Sequence, residues 1–274
     1  MTSSFSSLKR RGALLSALAL ALPLAFAAGT AHADQLDTIM AAKKIRVAID
    51  LAVPPYGLKD EKLNATGSDV ETARLLAKNL GVELEIVQTT GANRIPFLQT
   101  DKADIVISSM SVTPEREKVV DFSVPYAAIL AVVGAPKGMA IGGPADLAGK
   151  KVIATRGTTN DQELTKIAPA GMQLIRFDDD ATSITAVISG QAEIFATAPP
   201  LLKTINEKNP ARQMEPKFTM KVNMLAIGLR KNEPRLKARL DDFVKVQLKS
   251  GELNTIYRKF HGADLPPDVM RNGA

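Results

Sequence analysis

Short apolar runs alternate with amphipathic segments along most of the chain. The β-branched run at residues 45–49 predicts a buried strand that ends at Asp50. Residues 68–80 carry apolar side chains at helical spacing and are followed by Gly81, a typical helix stop, before a strand at residues 82–87. Because strands alternate with helices, the pattern favours an α/β fold with a largely parallel sheet.

The same pattern recurs later in the chain, which indicates two similar lobes. An apolar strand at residues 103–107 follows a short helix, and a strand at residues 192–195 follows a helix end in the same way. Two further extended stretches lie at residues 129–133 and 220–229. We interpret them as the two strands of a hinge, followed by a charged amphipathic helix at residues 234–249.

The N-terminal segment predicts export. Three basic residues at positions 9–11 precede an apolar run at residues 13–28, which closes on Ala-His-Ala at residues 31–33. These features are typical of a secretory signal peptide over residues 1–33, cleaved after Ala33. The apolar run is shorter than the roughly 20 residues that span a bilayer, so no membrane anchor is expected.

Composition removes several classes of chemistry. The 274 residues include no Cys, which excludes disulfides, thiolate metal sites and Cys nucleophiles. Two His are present, and His32 lies in the expected signal peptide, so His261 is the one imidazole expected in the mature chain and a multi-His metal site is excluded. The formal charge of +6 falls by three on cleavage, and the basic residues are interleaved with acids, which argues against nucleic-acid binding.

An anion site is predicted where the strands end. Ligands of open α/β sheets bind beyond the carboxyl ends of the strands, here at Asp50, residues 108–111 and residues 156–160. Residues 113–114 predict a helix start, and Arg116 follows in the first turn, where the helix dipole already supplies positive charge. We interpret Arg116 as part of a carboxylate site. A surface arginine paired with a neighbouring acid is an equally compatible alternative.

A second anion-binding segment is predicted at residues 157–161, which follow a strand and open a helix. Its free backbone N–H groups suit the same anion from the opposite side. Small polar residues at a helix start more often serve only as caps. We therefore interpret this segment as part of an anion site only in combination with Arg116.

Two motifs are more specific than the rest of the pattern. Residues 104–116 read Asp-Ile-Val-Ile-Ser-Ser-Met-Ser-Val-Thr-Pro-Glu-Arg, and residues 121–126 read Asp-Phe-Ser-Val-Pro-Tyr. Weaker matches lie at residues 45–50, 54–56, 67–71, 147–152, 157–159 and 249–262. Together they resemble the type II periplasmic solute-binding proteins of amino-acid ABC transporters, known as solute-binding protein family 3.

The resemblance implies a two-lobed α/β fold, the Venus flytrap of periplasmic binding proteins, with a βαβ-type sheet and flanking helices in each lobe and a two-strand hinge. Residues 34–128 would form the first part of lobe 1, residues 129–222 lobe 2, and residues 223–274 the return to lobe 1 with the C-terminal helix. It further implies a monomeric periplasmic protein without cofactor, metal or nucleic acid. Its ligand would be an amino acid or related carboxylate, and its partner an ABC transporter permease in the inner membrane.

The resemblance also assigns roles by position. Arg116 would grip the ligand carboxylate, helped by Ser111 and by the backbone N–H of Thr159. Ser109 and the residue after it would offer backbone groups to the amino end, and Asp50 would face the ligand side chain or ammonium. The full set expected at the site is Asp50, Tyr56, Ser109, Met110, Ser111, Arg116, Thr155, Thr158, Thr159 and Asn160.

One departure from the family pattern concerns the ligand. The position at which amino-acid binders commonly carry an Asp for the α-ammonium is Ala198. A buried ammonium without a counter-charge is unfavourable by several kcal/mol, so either Asp50 substitutes or the ligand lacks that ammonium. The acidic run at residues 178–180 is most simply a helix start, and we retain Asp180 as a candidate carboxylate.

A cleft enzyme of the same fold is the main alternative. A cyclohexadienyl or arogenate dehydratase would need a general acid in the cleft, a part for Glu163 or Asp161, although carboxylates in a first helical turn are ordinary. A Ser–His–Asp hydrolase would depend on His261, which is distant in sequence from the clustered Ser residues. We therefore expect a binding protein with no catalytic residues.

Overall fold

The computed structural model describes residues 34–273, so the expected signal peptide at residues 1–33 lies outside the described residues. The strands are β1 (Lys44–Ile49), β2 (Leu58–Lys59), β3 (Ala65–Thr66), β4 (Glu83–Gln88), β5 (Ile105–Val106), β6 (Asp121–Phe122), β7 (Ala127–Pro136), β8 (Lys151–Thr155), β9 (Gln173–Phe177), β10 (Ile194–Thr197), β11 (Met214–Leu225) and β12 (Gly228–Leu229). The helices are α1 (Gln35–Ala42), α2 (Ser68–Leu80), α3 (Arg94–Gln99), α4 (Pro114–Glu117), α5 (Thr159–Ile167), α6 (Asp180–Ile188), α7 (Pro199–Lys208), α8 (Pro234–Lys249), α9 (Glu252–His261) and α10 (Pro267–Met270).

The first sheet has the strand order β4-β1-β5-β12-β6. Strand β1 pairs in parallel with β4 and β5, while β12 runs antiparallel to β5 and β6. Helix α2 packs on β1 and buries Val70, Ala73 and Leu76 completely. It ends at Gly81, which has a left-handed backbone with a φ of 70°, so the stop expected from the sequence is confirmed.

The second sheet has the strand order β11-β7-β10-β8-β9. Strand β8 pairs in parallel with β9 and β10, and β7 runs antiparallel to β10 and β11. Helix α7 approaches β7 so closely that a Cβ at Gly134 would lie 2.5 Å from a methyl group of Leu202. Glycine is therefore required at this crossing for close packing.

Two extended segments join the sheets. Strand β7 follows β6 of the first sheet, and β11 leads to β12, which returns to the first sheet. The two long strands pair antiparallel, and the Tyr126 N–H donates to the Leu225 carbonyl where they meet the first sheet. The two-lobed α/β fold with a two-strand hinge is thereby confirmed. The expected lobe boundaries at residues 128 and 222 fall within these strands and stay a prediction.

Most element bounds agree with the sequence pattern. The amphipathic helix expected at residues 234–249 is α8, and the extended stretch at residues 129–133 is the middle of β7. The stretch expected at residues 220–229 is two strands, because the chain leaves the second sheet after β11 and joins the first at β12. In the part of the chain from residue 34 to residue 273, no helix is long and apolar enough to cross a membrane.

Gly57 offers a test of how tightly the end of β1 is packed. A Cβ at residue 57 would lie 2.1 Å from the Asp50 carbonyl oxygen, which is backbone and yields only if the loop shifts. We expect Gly57→Ala to lower the free energy of unfolding by about 2 kcal/mol or more in chemical denaturation. Gly138→Ala is the matched control, because a Cβ there meets nothing within 4 Å. Equal stability of the two variants would contradict this packing.

Candidate functional site

A cavity lies between the two sheets, at the carboxyl ends of parallel strands β1, β5, β8 and β10. The loops and helix starts after these strands face the opposite lobe, which is where open α/β sheets bind ligands. The cavity is lined by Asp50, Val53, Gly91, Arg94, Ser109, Ser111, Ile129, Thr158, Thr159, Asn160, Asp180, Ala198 and Leu201.

A hydrogen-bond network fixes the wall that the first sheet contributes. The Asp50 N–H donates to Ser108 Oγ (2.9 Å). Arg94 donates from Nη1 to the carbonyls of Ser108 (2.9 Å) and Ser109 (3.3 Å), and from Nε to the Gly91 carbonyl (3.1 Å). Arg94 is 6% exposed, so its guanidinium is a buried charge held in place by carbonyl oxygens.

Ser109 adopts an unusual backbone that a buried carboxylate supports. Its φ is 42°, in the left-handed region that residues with a Cβ rarely adopt. The Ser109 N–H donates to Asp69 Oδ2 (2.6 Å), and the Tyr126 hydroxyl donates to Asp69 Oδ1 (2.7 Å). Burial raises the pKa of Asp69 to about 6, although both hydrogen bonds act to lower it. Asp69 therefore sets the direction of the Ser109 peptide without lining the cavity.

The wall from the second sheet is built on the starts of α5 and α6. Thr158 caps α5, because its Oγ1 accepts from the Asp161 N–H (3.2 Å). The N–H groups of Thr159 and Asn160 precede the first helical hydrogen bond, so they are available to an anion. At α6, Asp180 Oδ1 accepts a 2.5 Å hydrogen bond from the Thr155 hydroxyl.

Polar contacts join the two lobes at one edge of the cavity. Ser111 Oγ lies 3.2 Å from Thr159 Oγ1. Arg116 donates from Nη1 to the Ser111 carbonyl (2.8 Å) and from Nη2 to the Gly157 carbonyl (3.0 Å). The Arg116 guanidinium therefore spans the seam between the lobes.

The buried charges at this seam are not paired with one another. Within residues 34–273, no ion pair involves Arg94, Arg116, Asp50 or Asp180. Burial and the neighbouring Arg94 lower the pKa of Arg116 to about 9. Burial raises the pKa of Asp180 to about 6, and burial likewise raises that of Asp50. Both signs of charge are thus held in an unfavourable environment beside the cavity.

The cavity brings together part of the residue set expected from the sequence. Asp50, Ser109, Ser111, Thr158, Thr159 and Asn160 line it. The other four lie elsewhere. The Tyr56 hydroxyl donates to the Ala128 carbonyl, and Met110 is fully buried against Gly228. Arg116 lines an adjoining cavity that Arg94 shares, and Thr155 lies behind Asp180. Their roles toward a ligand stay predictions.

Sequence reasoning missed Arg94. It opens α3 with no acidic residue in the first turn, the same conflict with the helix dipole that marks Arg116, so this signal was available. For the acidic run at residues 178–180, the structure separates two roles. Asp179 caps α6 by accepting from the Thr182 N–H, whereas Asp180 is 7% exposed and lines the cavity.

The residues that the enzyme alternatives require lie outside the cavity wall. Asp161 forms an ion pair with Arg176 (2.8 Å), and Glu163 pairs with Lys166 (2.9 Å) and Lys221 (3.3 Å). His261 is stacked on a tyrosine ring of its own helix and contacts Ser68 Oγ at 3.0 Å. In the described part of the chain, no group of three His, Cys, Asp or Glu side chains is placed to hold a metal ion.

Comparison with known proteins identifies the family. Residues 45–263 match the bacterial extracellular solute-binding proteins, family 3, and the chain belongs to this family. The L-cystine-binding protein TcyJ of Escherichia coli (strain K12) is 30% identical over 261 residues, which cover 93% of this chain and 97% of the relative. The L-arginine-binding protein of Pseudomonas aeruginosa is 31% identical over 160 residues, and this match spans 58% of this chain and 62% of that relative.

A similar solved structure is the ancestral amino acid-binding protein AncCDT-1, described as a precursor of cyclohexadienyl dehydratase. It is 34% identical, superposes with a TM-score of 0.74, and the match covers 82% of this chain and 99% of that chain. The relatives are named as binding proteins, and the protein in this solved structure is described as the precursor of an enzyme. This solved structure shares the fold of the chain.

The pKa of Asp180 predicts how stability depends on pH. Its ordinary value is 3.8 and its folded value is about 6, so between these pH values the folded protein binds a proton that the unfolded chain has released. The stability that Asp180 contributes is therefore present below pH 3.8 and is lost as pH rises through 6. We expect Asp180→Asn, without ligand, to be more stable than the parent by about 2 kcal/mol at pH 7.5 and little different at pH 4.

Thermal and urea unfolding at the two pH values measure this difference. Asp178→Asn is the matched control, because it removes the same charge from a side chain that is 82% exposed. A stability gain that is equal at both pH values, or equal in the control, would contradict the assignment to Asp180.

Proposed function

We propose that this protein is the periplasmic binding component of an ABC importer. It captures a small carboxylate-bearing ligand, most simply an amino acid, between its lobes and presents the closed form to an inner-membrane permease as a monomer. No bond of the ligand is made or broken. Membership of the solute-binding family and the names of the relatives support this proposal.

The observation that carries the proposal is a pair of buried guanidinium groups that donate to carbonyl oxygens and form no ion pair within residues 34–273. Arg94 and Arg116 are 6% and 5% exposed, and the positive charge of Arg94 lowers the pKa of Arg116. Buried charges are stable only when they are paired or fully hydrogen-bonded. Asp50, Asp69 and Asp180 lie near Arg94, so a carboxylate from outside the chain is the counter-charge for Arg116, and Arg binds carboxylates in a planar, two-bond geometry.

The ligand carboxylate is assigned to the edge where the lobes meet. Ser111 belongs to the first lobe, and Thr159 and Asn160 open helix α5 of the second. A carboxylate here accepts from the free N–H groups at the helix start and from the two hydroxyls, with Arg116 directly behind Ser111. Because donors come from both lobes, the anion stabilises the closed form over the open one.

A ligand screen with one arginine variant tests the proposal. The chain from Asp34 onward, unfolded and refolded to remove bound ligand, is screened by thermal shift against the common L-amino acids, their decarboxylated amines and their amine-free carboxylates. A ligand at one hundred times its Kd adds about 2.7 kcal/mol of stability, which raises the Tm by several degrees. We expect an amino acid to shift the Tm and Arg116→Ala to weaken its binding about a hundredfold, because the variant removes a buried charge partner.

Arg258→Ala is the control, since that arginine is exposed on α9 and its one ion pair within residues 34–273 is with Asp264. It should leave ligand affinity unchanged. If no amino acid or amine-free carboxylate shifts the Tm, the proposal is wrong. Turnover of a ring-bearing carboxylate to an aromatic product would favour the dehydratase alternative instead.

A further inference from the structure

Two acidic side chains of the cavity have no role in the proposed binding of the ligand carboxylate. Asp50 lies at the end of β1 in the first lobe, and Asp180 opens α6 in the second. Both line the cavity and are 6% and 7% exposed. They are the two acidic residues of the cavity lining, and neither forms an ion pair within residues 34–273.

The surroundings of Asp180 leave one side of its carboxylate open to the cavity. Its Oδ1 accepts from the Thr155 hydroxyl, whereas its Oδ2 accepts no hydrogen bond from residues 34–273. Oδ2 is not fully enclosed by protein atoms, so it is accessible from the cavity that Asp180 lines. A side chain that is more than nine-tenths buried thus presents an unused acceptor to the ligand space.

Arg94 lies near both carboxylates and favours their ionised forms, but it forms an ion pair with neither of them within residues 34–273. Its Nη1 and Nε donate to backbone carbonyls, so its hydrogen bonds hold the loop after β5 rather than a carboxylate. Asp50 and Asp180 repel each other, and Asp179 adds further negative charge near both. The single charge of Arg94 is thus shared between two carboxylates, and it donates a hydrogen bond to neither of them.

The position at which the sequence analysis expects an acid for the α-ammonium is Ala198, which carries no charge. Ala198 lines the cavity, is 2% exposed, and is flanked in the lining by Leu201 and Ile129. An ammonium placed against this apolar surface would be desolvated without a partner. Asp50 and Asp180 are the acidic side chains of the cavity lining that supply a counter-charge for an ammonium.

We propose that Asp50 and Asp180 together hold the ammonium group of the ligand, one carboxylate from each lobe. This inference rests on the proposed function and specifies its ligand class as a zwitterion. The ammonium then links the lobes through the two acids, as the carboxylate links them at Ser111 and Thr159. Amine-free carboxylates supply only one of these links and bind more weakly.

Calorimetric titration of the refolded chain tests the inference. The probes are the common L-amino acids and, for each amino acid that binds the parent protein, the analogue in which hydrogen replaces the ammonium group. We expect Asp180→Asn to weaken binding of the amino acid at least about thirtyfold, since one partner of a buried charge contact is removed. Binding of the amine-free analogue should weaken less than about threefold or become tighter.

Two further variants make the result decisive. Asp50→Asn should show the same selective loss, because its carboxylate faces the same ammonium from the first lobe. Asp178→Asn, which removes an exposed charge two residues away, should change neither affinity. Circular dichroism checks that each variant is folded before titration.

The outcomes separate this inference from the proposed function. If the parent binds an amino acid and Asp180→Asn binds it equally well, the ammonium assignment is wrong while the proposed function stands. If Asp180→Asn weakens the amino acid and its amine-free analogue to the same extent, Asp180 acts only on the structure of the site and the inference also fails. If the parent binds neither probe, the proposed function fails first.

Discussion

Unpaired buried charge at the lobe seam is the constraint on which the site depends. Arg94 and Arg116 are held by carbonyl oxygens, and Asp50 and Asp180 by hydroxyl and backbone donors, and none of the four forms an ion pair within residues 34–273. Pairing these groups with one another would be locally more favourable, but it would leave no use for a ligand. These groups therefore stay available to a charged ligand.

The scaffold around the seam holds these charges in place. Asp50 follows β1 directly, and Gly57 packs against its carbonyl, so the loop has little freedom to turn the carboxylate away. Asp69 and the Tyr126 hydroxyl keep the Ser109 peptide in a left-handed conformation beside the cavity. Buried carboxylates with raised pKa values lower the stability of the empty protein, a common cost of a preorganised binding site.

The frame agrees with the sequence pattern, whereas the charges of the site depend on a few side chains. The alternation of strands and helices, the glycine stop after α2 and the two long hinge strands agree with what the sequence pattern predicts. At Ala198 the resemblance to amino-acid binders leads us to expect an acid, and Ala198 and Asp180 line the same cavity. A difference of this kind alters ligand choice without disturbing either sheet.

The sequence by itself determined the fold class, the capped helix start around Arg116 and the absence of thiol chemistry, because apolar periodicity, glycine stops and helix-start signals act over a few residues. It also indicated that Asp50 and the loops after β5 and β8 end at one edge. Only the tertiary structure showed that Arg94 reaches the cavity, that Met110 is buried away from it and that Asp180 rather than Asp179 faces the ligand space. Adjacent residues of a helix start have the same local pattern, and which of them points across the seam is decided by how the helix packs on its sheet and by the approach of the second lobe.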